Sequence, residues 1–289
     1  MSAVLEVKNL SFVYGKGTPF EKKAVDNLSL SVEKGEFIGV IGHTGSGKST
    51  LVQMLNGLIK PSEGQVLLDG RDIWSEPKKI RQVRFRVGMV FQYPEYQLFE
   101  DTVYKDIAFG AANKGLTGAA LDAAVRGAAR FTGLRDDLLE KSPFDLSGGE
   151  KRRAAIAGVM AMEPEVLILD EPTAGLDPMG REILLSQIVN YHKERGNTIL
   201  LVSHSMEDIA RVADRILVMN HARLHAFDTT ERVFAQGASL NAIGLRVPQV
   251  TRIMQLLRQR GVDVPESILT VDEALSVLSA LLKKEGKIW

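Results

Sequence analysis

One stretch of sequence decides the fold, and it reads Phe37-Ile38-Gly39-Val40-Ile41-Gly42-His43-Thr44-Gly45-Ser46-Gly47-Lys48-Ser49. Its first five residues form an apolar run, which is typical of a buried parallel strand. The next eight match G-x-x-x-x-G-K-[S/T], the pattern of a phosphate-binding loop between a strand and a helix. Residues 49–58 continue in a helical pattern that stops near Pro61, so both flanks agree with such a loop. We therefore predict a site for a nucleoside triphosphate.

The chemistry of the loop assigns roles to its residues. Glycines let the backbone wrap around phosphates, and the following helix adds the positive end of its dipole. We expect Lys48 to contact the β- and γ-phosphates, Ser49 to hold Mg²⁺ and Thr50 to contact the α-phosphate. The loop residues predicted to bind the nucleotide are Gly42, His43, Thr44, Gly45, Ser46, Gly47, Lys48, Ser49 and Thr50. Tyr14 is a candidate to stack on adenine; the alternative is that it packs beside Phe12.

Two carboxylates follow a second apolar run, at residues 166–169. Asp170 therefore ends a buried strand, at the edge of the sheet where open α/β folds bind ligands. We expect Asp170 to orient Mg²⁺ through water. Glu171 comes next and is the natural base to polarise an attacking water.

The rest of the chain predicts a doubly wound α/β core with additions. Residues 4–7 and 24–32 alternate apolar and polar side chains, which indicates an N-terminal antiparallel β layer. Apolar runs at 87–91 and 198–202 extend the core sheet. Between these runs, a helical subdomain of about residues 93–162 is inserted, with Thr117 as a helix cap. We divide the chain into a nucleotide-binding domain, 1–230, and a small, mostly helical extension, 231–289, with an extended break at 247–249 and a turn at Gly261.

Bulk composition narrows the class of protein. The 289 residues include 36 Lys and Arg against 36 Asp and Glu, so the net charge gives no support to nucleic-acid binding. The basic cluster at residues 78–86 is expected to be a solvated face. The absence of cysteine excludes disulfides and thiolate metal sites. We find no signal-peptide pattern and no apolar run approaching the ~18 residues that span a bilayer.

A third motif, Leu146-Ser147-Gly148-Gly149-Glu150, stands before the Asp170 strand and is called the signature segment below. With the phosphate loop and Asp170-Glu171, it makes residues of about 4–228 resemble the ATP-binding-cassette (ABC) ATPases. The usual fifth residue of the motif is Gln. Ser147 and Glu150 also form an S-x-x-E capping box, so we expect Glu150 to turn back to its own helix.

The resemblance implies further site residues. Ser147, Gly148 and Gly149 would contact ATP bound on a partner chain, and Asp177 would reach across to that chain. Gln92 would sense Mg²⁺ and the attacking water, and His204 would contact the γ-phosphate. The implied activity is ATP hydrolysis with Mg²⁺, driven by two chains closing over ATP.

A finer resemblance lies in Gln92-Tyr93-Pro94-Glu95-Tyr96-Gln97-Leu98-Phe99, with Thr102-Val103 behind it. This segment is similar to the corresponding loop of energy-coupling-factor transporter ATPases, which drive uptake of vitamins and of cobalt or nickel ions. The insertion at 17–21 and the tail motif Val247-Pro248-Gln249 resemble the second of the two ATPase subunits in those complexes.

This resemblance implies partner subunits and a cellular location. The chain would pair with a second cassette ATPase, either a paralogue or a copy of itself, and bind a transmembrane coupling subunit, with a separate membrane protein binding the substrate. It would lie peripherally on the cytoplasmic face of the membrane. Glu95 and the neighbouring aromatics would suit a groove for a coupling helix with basic and apolar residues; alternatively, the aromatics cap the subdomain core. The extension after Glu231 would add a dimer contact or stand free as a helical cap.

Three alternative functions remain. The first is the ATPase subunit of a conventional ABC importer, against which the segment 92–99 and the tail argue. The second is a DNA-repair or chromosome-organising ATPase, but fewer than 100 residues separate Lys48 from Leu146, too few for the long coiled coil of that class. The third, a scaffold without turnover, conflicts with intact Glu171 and His204.

Overall fold

The computed structural model describes residues 3–284, which form two sheets and eleven α-helices within that range. The strands are β1 (Ala3–Tyr14), β2 (Lys22–Glu33), β3 (Phe37–Ile41), β4 (Glu63–Leu68), β5 (Arg71–Asp72), β6 (Val87–Val90), β7 (Val166–Asp170), β8 (Thr198–Val202), β9 (Arg215–Asn220) and β10 (Arg223–Thr229). The helices are α1 (Lys48–Leu55), α2 (Ile80–Arg86), α3 (Val103–Lys114), α4 (Gly118–Phe131), α5 (Gly148–Met160), α6 (Pro178–Arg195), α7 (Met206–Val212), α8 (Thr230–Ala235), α9 (Gly237–Ala242), α10 (Gln249–Gln259) and α11 (Val271–Lys284).

The core is a six-stranded sheet in the order β10-β9-β3-β8-β7-β6. Its five strands from β9 to β6 are parallel, and β10 pairs antiparallel with β9. Every residue of β3, β7 and β8 is buried, which explains their continuous apolar runs. The predicted α/β core is confirmed.

Alternate residues of β3 face two different apolar layers. Phe37 and Ile41 belong to a cluster formed with the helices, whereas Ile38 and Val40 belong to a cluster formed with α1 and the antiparallel sheet. That second sheet has the order β2-β1-β4-β5 and is the predicted N-terminal β layer. The core sheet is therefore sandwiched, and its loops emerge only at the strand ends.

Helices α3, α4 and α5 form the inserted helical subdomain. They pack on each other through small apolar side chains such as Ala111, Ala129 and Ala157, which let the helices approach closely. Thr102 caps α3 by accepting a hydrogen bond from the Lys105 amide at 3.2 Å. Thr117 occupies the cap position of α4, as predicted, but its side chain makes no capping bond.

The residues after β10 extend the chain in two steps. Leu245 and Val247 join the main core cluster, and the amide of Gln249 donates to a carboxylate oxygen of Glu207 at 3.3 Å. Helices α10 and α11 then close over a small cluster centred on Met254 and Val264. The domain boundary at residue 230 stays a prediction. No helix between residues 3 and 284 is long and apolar enough to cross a bilayer.

Candidate nucleotide site

The phosphate-binding loop joins β3 to α1 and holds Lys48 at its centre. The Lys48 side chain is buried, and its Nζ donates to the carbonyls of Gly42 at 2.7 Å and His43 at 3.2 Å. Burial lowers the pKa of the Lys48 ammonium, although Glu171 and Asp170 act in the opposite direction. The loop therefore places a cation where its own backbone converges, as contact with phosphate oxygens requires.

Two glycines keep the loop in place against neighbouring backbone. A Cβ added at Gly42 would lie closer than 3.0 Å to the Met219 carbonyl. A Cβ added at Gly47 would likewise lie closer than 3.0 Å to the Ala24 carbonyl. Both glycines also have left-handed φ angles, 155° and 105°. The loop thus lies packed between β2 and the β9–β10 turn. In that turn, the Ala222 amide donates to the Ser46 carbonyl at 3.0 Å.

Three predicted catalytic residues meet at Glu171. His204 Nε2 donates to Glu171 Oε1 at 2.7 Å, and Gln92 Nε2 donates to Glu171 Oε2 at 3.2 Å. The backbone of Glu171 is left-handed, with φ 52°, and its amide donates to the Val202 carbonyl at 3.0 Å. The carboxylate is therefore turned out of the β7 strand direction and fixed by both neighbouring loops.

Asp170 lies between this cluster and the phosphate loop. It is 5% exposed, and burial raises the pKa of its carboxyl above the ordinary value, opposed in part by a hydrogen bond from Ser49. The hydroxyl and the carboxylate predicted to hold Mg²⁺ thus lie side by side. Both are hard oxygen donors, the type Mg²⁺ prefers.

Tyr14 lines the other end of the loop. Its hydroxyl lies 3.3 Å from Thr50 Oγ1, and its ring meets Phe12 edge-on with centroids 4.8 Å apart. The side chain is nevertheless 43% exposed. It borders a cavity of about 150 Å³ together with Lys22, Ala24, Gly45, Gly47, Lys48, Ser49 and Thr50. The contact with Phe12 therefore supports the ring and leaves part of it open for stacking.

The signature segment begins helix α5 with the predicted capping box. Glu150 Oε2 accepts from the Ser147 amide at 2.9 Å and from Ser147 Oγ at 2.7 Å, while Ser147 Oγ accepts from the Glu150 amide at 3.4 Å. These hydrogen bonds from Ser147 lower the pKa of the Glu150 carboxyl. The prediction that Glu150 turns back to its own helix is confirmed.

The signature segment lies apart from the chain's own catalytic cluster. In the described part of the chain, the cavity beside Glu171 and His204 is lined by loop residues 173–176 and by Arg181, Ser203, Ser205 and Glu207, and the signature residues do not border it. Asp177 caps α6, its Oδ1 accepting from the Gly180 amide at 2.7 Å.

Sequence reasoning missed a buried ion pair that ties the site together. Arg152 donates through Nε and Nη2 to the two carboxylate oxygens of Glu95, at 3.0 and 2.7 Å. Its Nη1 donates to the carbonyls of Pro172, at 3.4 Å, and Ala174. The expectation that Glu95 presents its charge to a partner is wrong for this structure, because Arg152 already pairs with that carboxylate. No local spacing signals a pair between residues 57 positions apart.

The end of the same segment, Gln97, Leu98 and Phe99, borders a groove of about 660 Å³ between α2, α3 and α5. Phe99, 59% exposed, meets Phe109 edge-on at 5.0 Å along its wall. The basic cluster is more than a solvated face, because Arg81 and Arg84 also border the groove and Arg86 pairs with Asp69 and Glu165. This groove, called the aromatic groove below, is open and largely apolar.

Comparisons with known proteins place this geometry in a family. The family model described as ABC transporter matches residues 25–174. The chain is 50% identical over 270 residues to the energy-coupling factor transporter ATP-binding protein EcfA2 of Caldanaerobacter subterraneus subsp. tengcongensis, covering 93% of this chain and 94% of that protein.

Two solved structures are similar to the chain. The first is cbiO1 from Clostridium perfringens, described as part of the ABC transporter complex cbiONQ, with a TM-score of 0.74 and 38% identity over 88% of this chain and all of that chain. The second is the dimeric ATP-binding cassette MJ0796 bound to ADP and Pi, with a TM-score of 0.71 and 26% identity over 78% of this chain and 98% of that chain. The chain therefore belongs to the ABC transporter family, among the energy-coupling factor transporter ATP-binding proteins.

Proposed function

We propose that the chain is the ATP-hydrolysing subunit of an energy-coupling factor transporter that takes up a vitamin or a transition-metal ion. ATP binding closes two cassette subunits over the nucleotide, and hydrolysis reopens them. The membrane subunits move together with this closure and reopening. The observation that carries the proposal is the convergence of Gln92 and His204 on the Glu171 carboxylate, next to Asp170 and the phosphate loop.

The residues have distinct tasks in hydrolysis. Lys48 binds the β- and γ-phosphates, and the Glu171 carboxylate accepts a proton from the attacking water. His204 and Gln92, which bond to Glu171 in this structure, hold the water and the γ-phosphate in line once ATP is present. Ser49, Asp170 and Gln92 fit Mg²⁺, which when bound neutralises charge on the phosphates.

The arrangement of the motifs supports work by two chains. Ser147, Gly148 and Gly149 sit at an open helix N-terminus away from the chain's own Glu171, where they would bind the nucleotide of a partner. To reach the same partner, the Asp177 side chain would either give up its hydrogen bond from the Gly180 amide or keep that bond and contact the partner as well. The similarity to a dimeric cassette supports this reading, and the partner is either a paralogue or a second copy.

The aromatic groove is the proposed seat of the transmembrane coupling subunit. It is open and largely apolar, and Gln97, Leu98 and Phe99 line it, so a helix seated there touches the end of the segment whose first residue, Gln92, contacts Glu171. The chain would thereby work peripherally at the cytoplasmic face of the membrane, with the substrate held by a separate membrane protein.

A pull-down from native, detergent-solubilised membranes with mass spectrometry tests the assembly. We expect the tagged chain to recover a second cassette ATPase and a coupling membrane protein. Phe99→Glu should lose the membrane protein and keep the ATPase, while Phe20→Glu, in the exposed β1–β2 turn, should keep both. Recovery of a permease pair with a soluble binding protein would refute the energy-coupling factor assignment.

Turnover of the purified protein tests the chemistry separately. Glu171→Gln should slow ATP hydrolysis by about 10²–10⁴-fold, because the amide cannot accept the proton. ATP binding should persist, since Lys48 and the loop are untouched. Unchanged hydrolysis in this variant would contradict the role of Glu171.

A further inference from the structure

We propose that Arg152 is a positioning residue for ATP hydrolysis, which holds the loop at residues 172–177 in register with the segment at residues 92–99 through its pair with Glu95. The inference rests on the proposed function and adds a residue to it. It concerns how the loop behind Glu171 is kept in place.

The ion pair of Arg152 and Glu95 is largely buried and has a defined geometry. The Arg152 side chain is 5% exposed and that of Glu95 is 16% exposed. The guanidinium contacts Glu95 through two parallel bonds, a fork-to-fork arrangement that fixes direction as well as distance. Burial alone would raise the pKa of the Glu95 carboxyl, but the bonds from Arg152 outweigh it and the pKa lies below the ordinary value.

The remaining donor group of Arg152 contacts the turn that follows Glu171. Its Nη1 bonds to the carbonyls of Pro172 and Ala174, the first turn after Glu171. That turn is otherwise held by its own backbone, with the Ala174 amide donating to Glu171 at 3.1 Å. Removing the guanidinium would take its donors from the carbonyls of Pro172 and Ala174 and leave the largely buried Glu95 carboxylate with only a backbone hydrogen bond, so the turn and the segment around Glu95 would both shift.

Glu95 lies between Gln92 and the residues of its segment that border the aromatic groove. Gln92, three residues before it, donates to Glu171, and Leu98 and Phe99, just after it, border the aromatic groove. The groove segment therefore reaches Glu171 by two routes. One is the direct bond from Gln92, and the other runs through Glu95 and Arg152 to the carbonyls that follow Glu171.

The test uses the purified full-length chain and three readouts. These are the Kd for ATP, kcat and KM for hydrolysis, and hydrogen exchange of the amides at residues 172–177 without nucleotide. The variants are Arg152→Met, Arg152→Lys, Glu95→Gln and the double variant Arg152→Met with Glu95→Gln. Arg126→Met is the control, because Arg126 makes an exposed ion pair with Asp122.

We expect Arg152→Met to lower kcat by about 10- to 100-fold, as small misplacements near chemistry do, with Kd for ATP within about twofold. Exchange at residues 172–177 should accelerate. Glu95→Gln should reproduce part of both effects, and the double variant should be no worse than Arg152→Met alone. Arg152→Lys should keep only part of kcat, since lysine keeps the positive charge but cannot form the two parallel bonds to Glu95. Arg126→Met should match the wild type.

Unchanged kcat and unchanged exchange in Arg152→Met would overturn the inference, and so would fully additive effects in the double variant. A wild-type chain that neither binds nor hydrolyses ATP would refute the proposed function instead. The exchange experiment would still decide whether Arg152 holds the loop.

Discussion

Replacing Gly47 by alanine should destabilise the nucleotide-free chain by about 2–5 kcal/mol, whereas Gly45→Ala in the same loop should cost only about 1–2 kcal/mol. Both glycines have left-handed backbones, with φ 105° at Gly47 and 79° at Gly45. A left-handed conformation alone costs an alanine about 1–2 kcal/mol.

The two positions differ in the space around the added methyl group. At Gly47 the Cβ would lie closer than 3.0 Å to the Ala24 carbonyl, whereas at Gly45 no atom lies within 4 Å. Ala24 belongs to β2, which is held in its sheet by β1, so the carbonyl cannot retreat alone. Displacing packed structure of this kind costs about 1–3 kcal/mol beyond the backbone strain.

Equilibrium unfolding in urea, followed by circular dichroism and by tryptophan fluorescence, measures the difference. The midpoint should fall further for Gly47→Ala than for Gly45→Ala at an unchanged slope. Equal losses for the two variants, within about 0.5 kcal/mol, would refute the idea that β2 holds the loop in place. Nucleotide titrations should show weaker ATP binding for Gly47→Ala, because the start of α1 moves.

Three further predictions concern single side chains. Tyr14→Ala should weaken ATP binding by about 1–3 kcal/mol through lost stacking, while Tyr14→Phe, which loses only the bond to Thr50, should stay within about twofold in a fluorescent-nucleotide titration. Glu150→Gln should leave the ATPase rate of the dimer within a few-fold, because the glutamine carbonyl can still accept from the Ser147 amide; a large gain would mean that the carboxylate restrains closure. Asp106→Asn should raise the free energy of unfolding at pH 7, because burial raises the pKa of the Asp106 carboxyl and so disfavours its charged form in the folded chain, while the asparagine carbonyl can still accept from the amides of Phe99 and Glu100 that donate to Oδ1. This advantage should shrink on acidification and vanish below about pH 4, where the carboxyl is protonated in both states; an advantage independent of pH would contradict the cause.

Short-range chemistry explains why much of the site could be predicted from the sequence. The phosphate loop needs particular residues within eight positions, and the capping box of Ser147 and Glu150 needs only three. Fully buried strands can be recognised in the sequence as continuous apolar runs, as in β3, β7 and β8. Gln92 and His204 both bond to Glu171, and the roles toward Mg²⁺, water and the γ-phosphate that the family resemblance implies for them stay predictions.

What the sequence did not predict depends on long-range contacts or on irregular backbone. Strand β1 runs to Tyr14, well past the predicted residues 4–7, because a bulge with φ 49° at Asn9 interrupts the alternation. Helix α1 ends at Leu55 and not at the predicted residue 58. Directly after it, the side-chain amide of Asn56 donates to the Val87 carbonyl. The bond between Arg152 and Glu95 arises only when the helical subdomain folds back on the core.

The left-handed backbone at Glu171 has a consequence for anyone who engineers this protein. Glycine and asparagine adopt a φ of 52° with less strain than glutamate does, so replacing Glu171 by either should relax the turn. A selection for heat resistance alone therefore does not protect Glu171, because relief of this backbone strain offsets part of what is lost with the hydrogen bonds from Gln92 and His204. Libraries built for durability should keep position 171 fixed or be sorted on turnover as well as on survival.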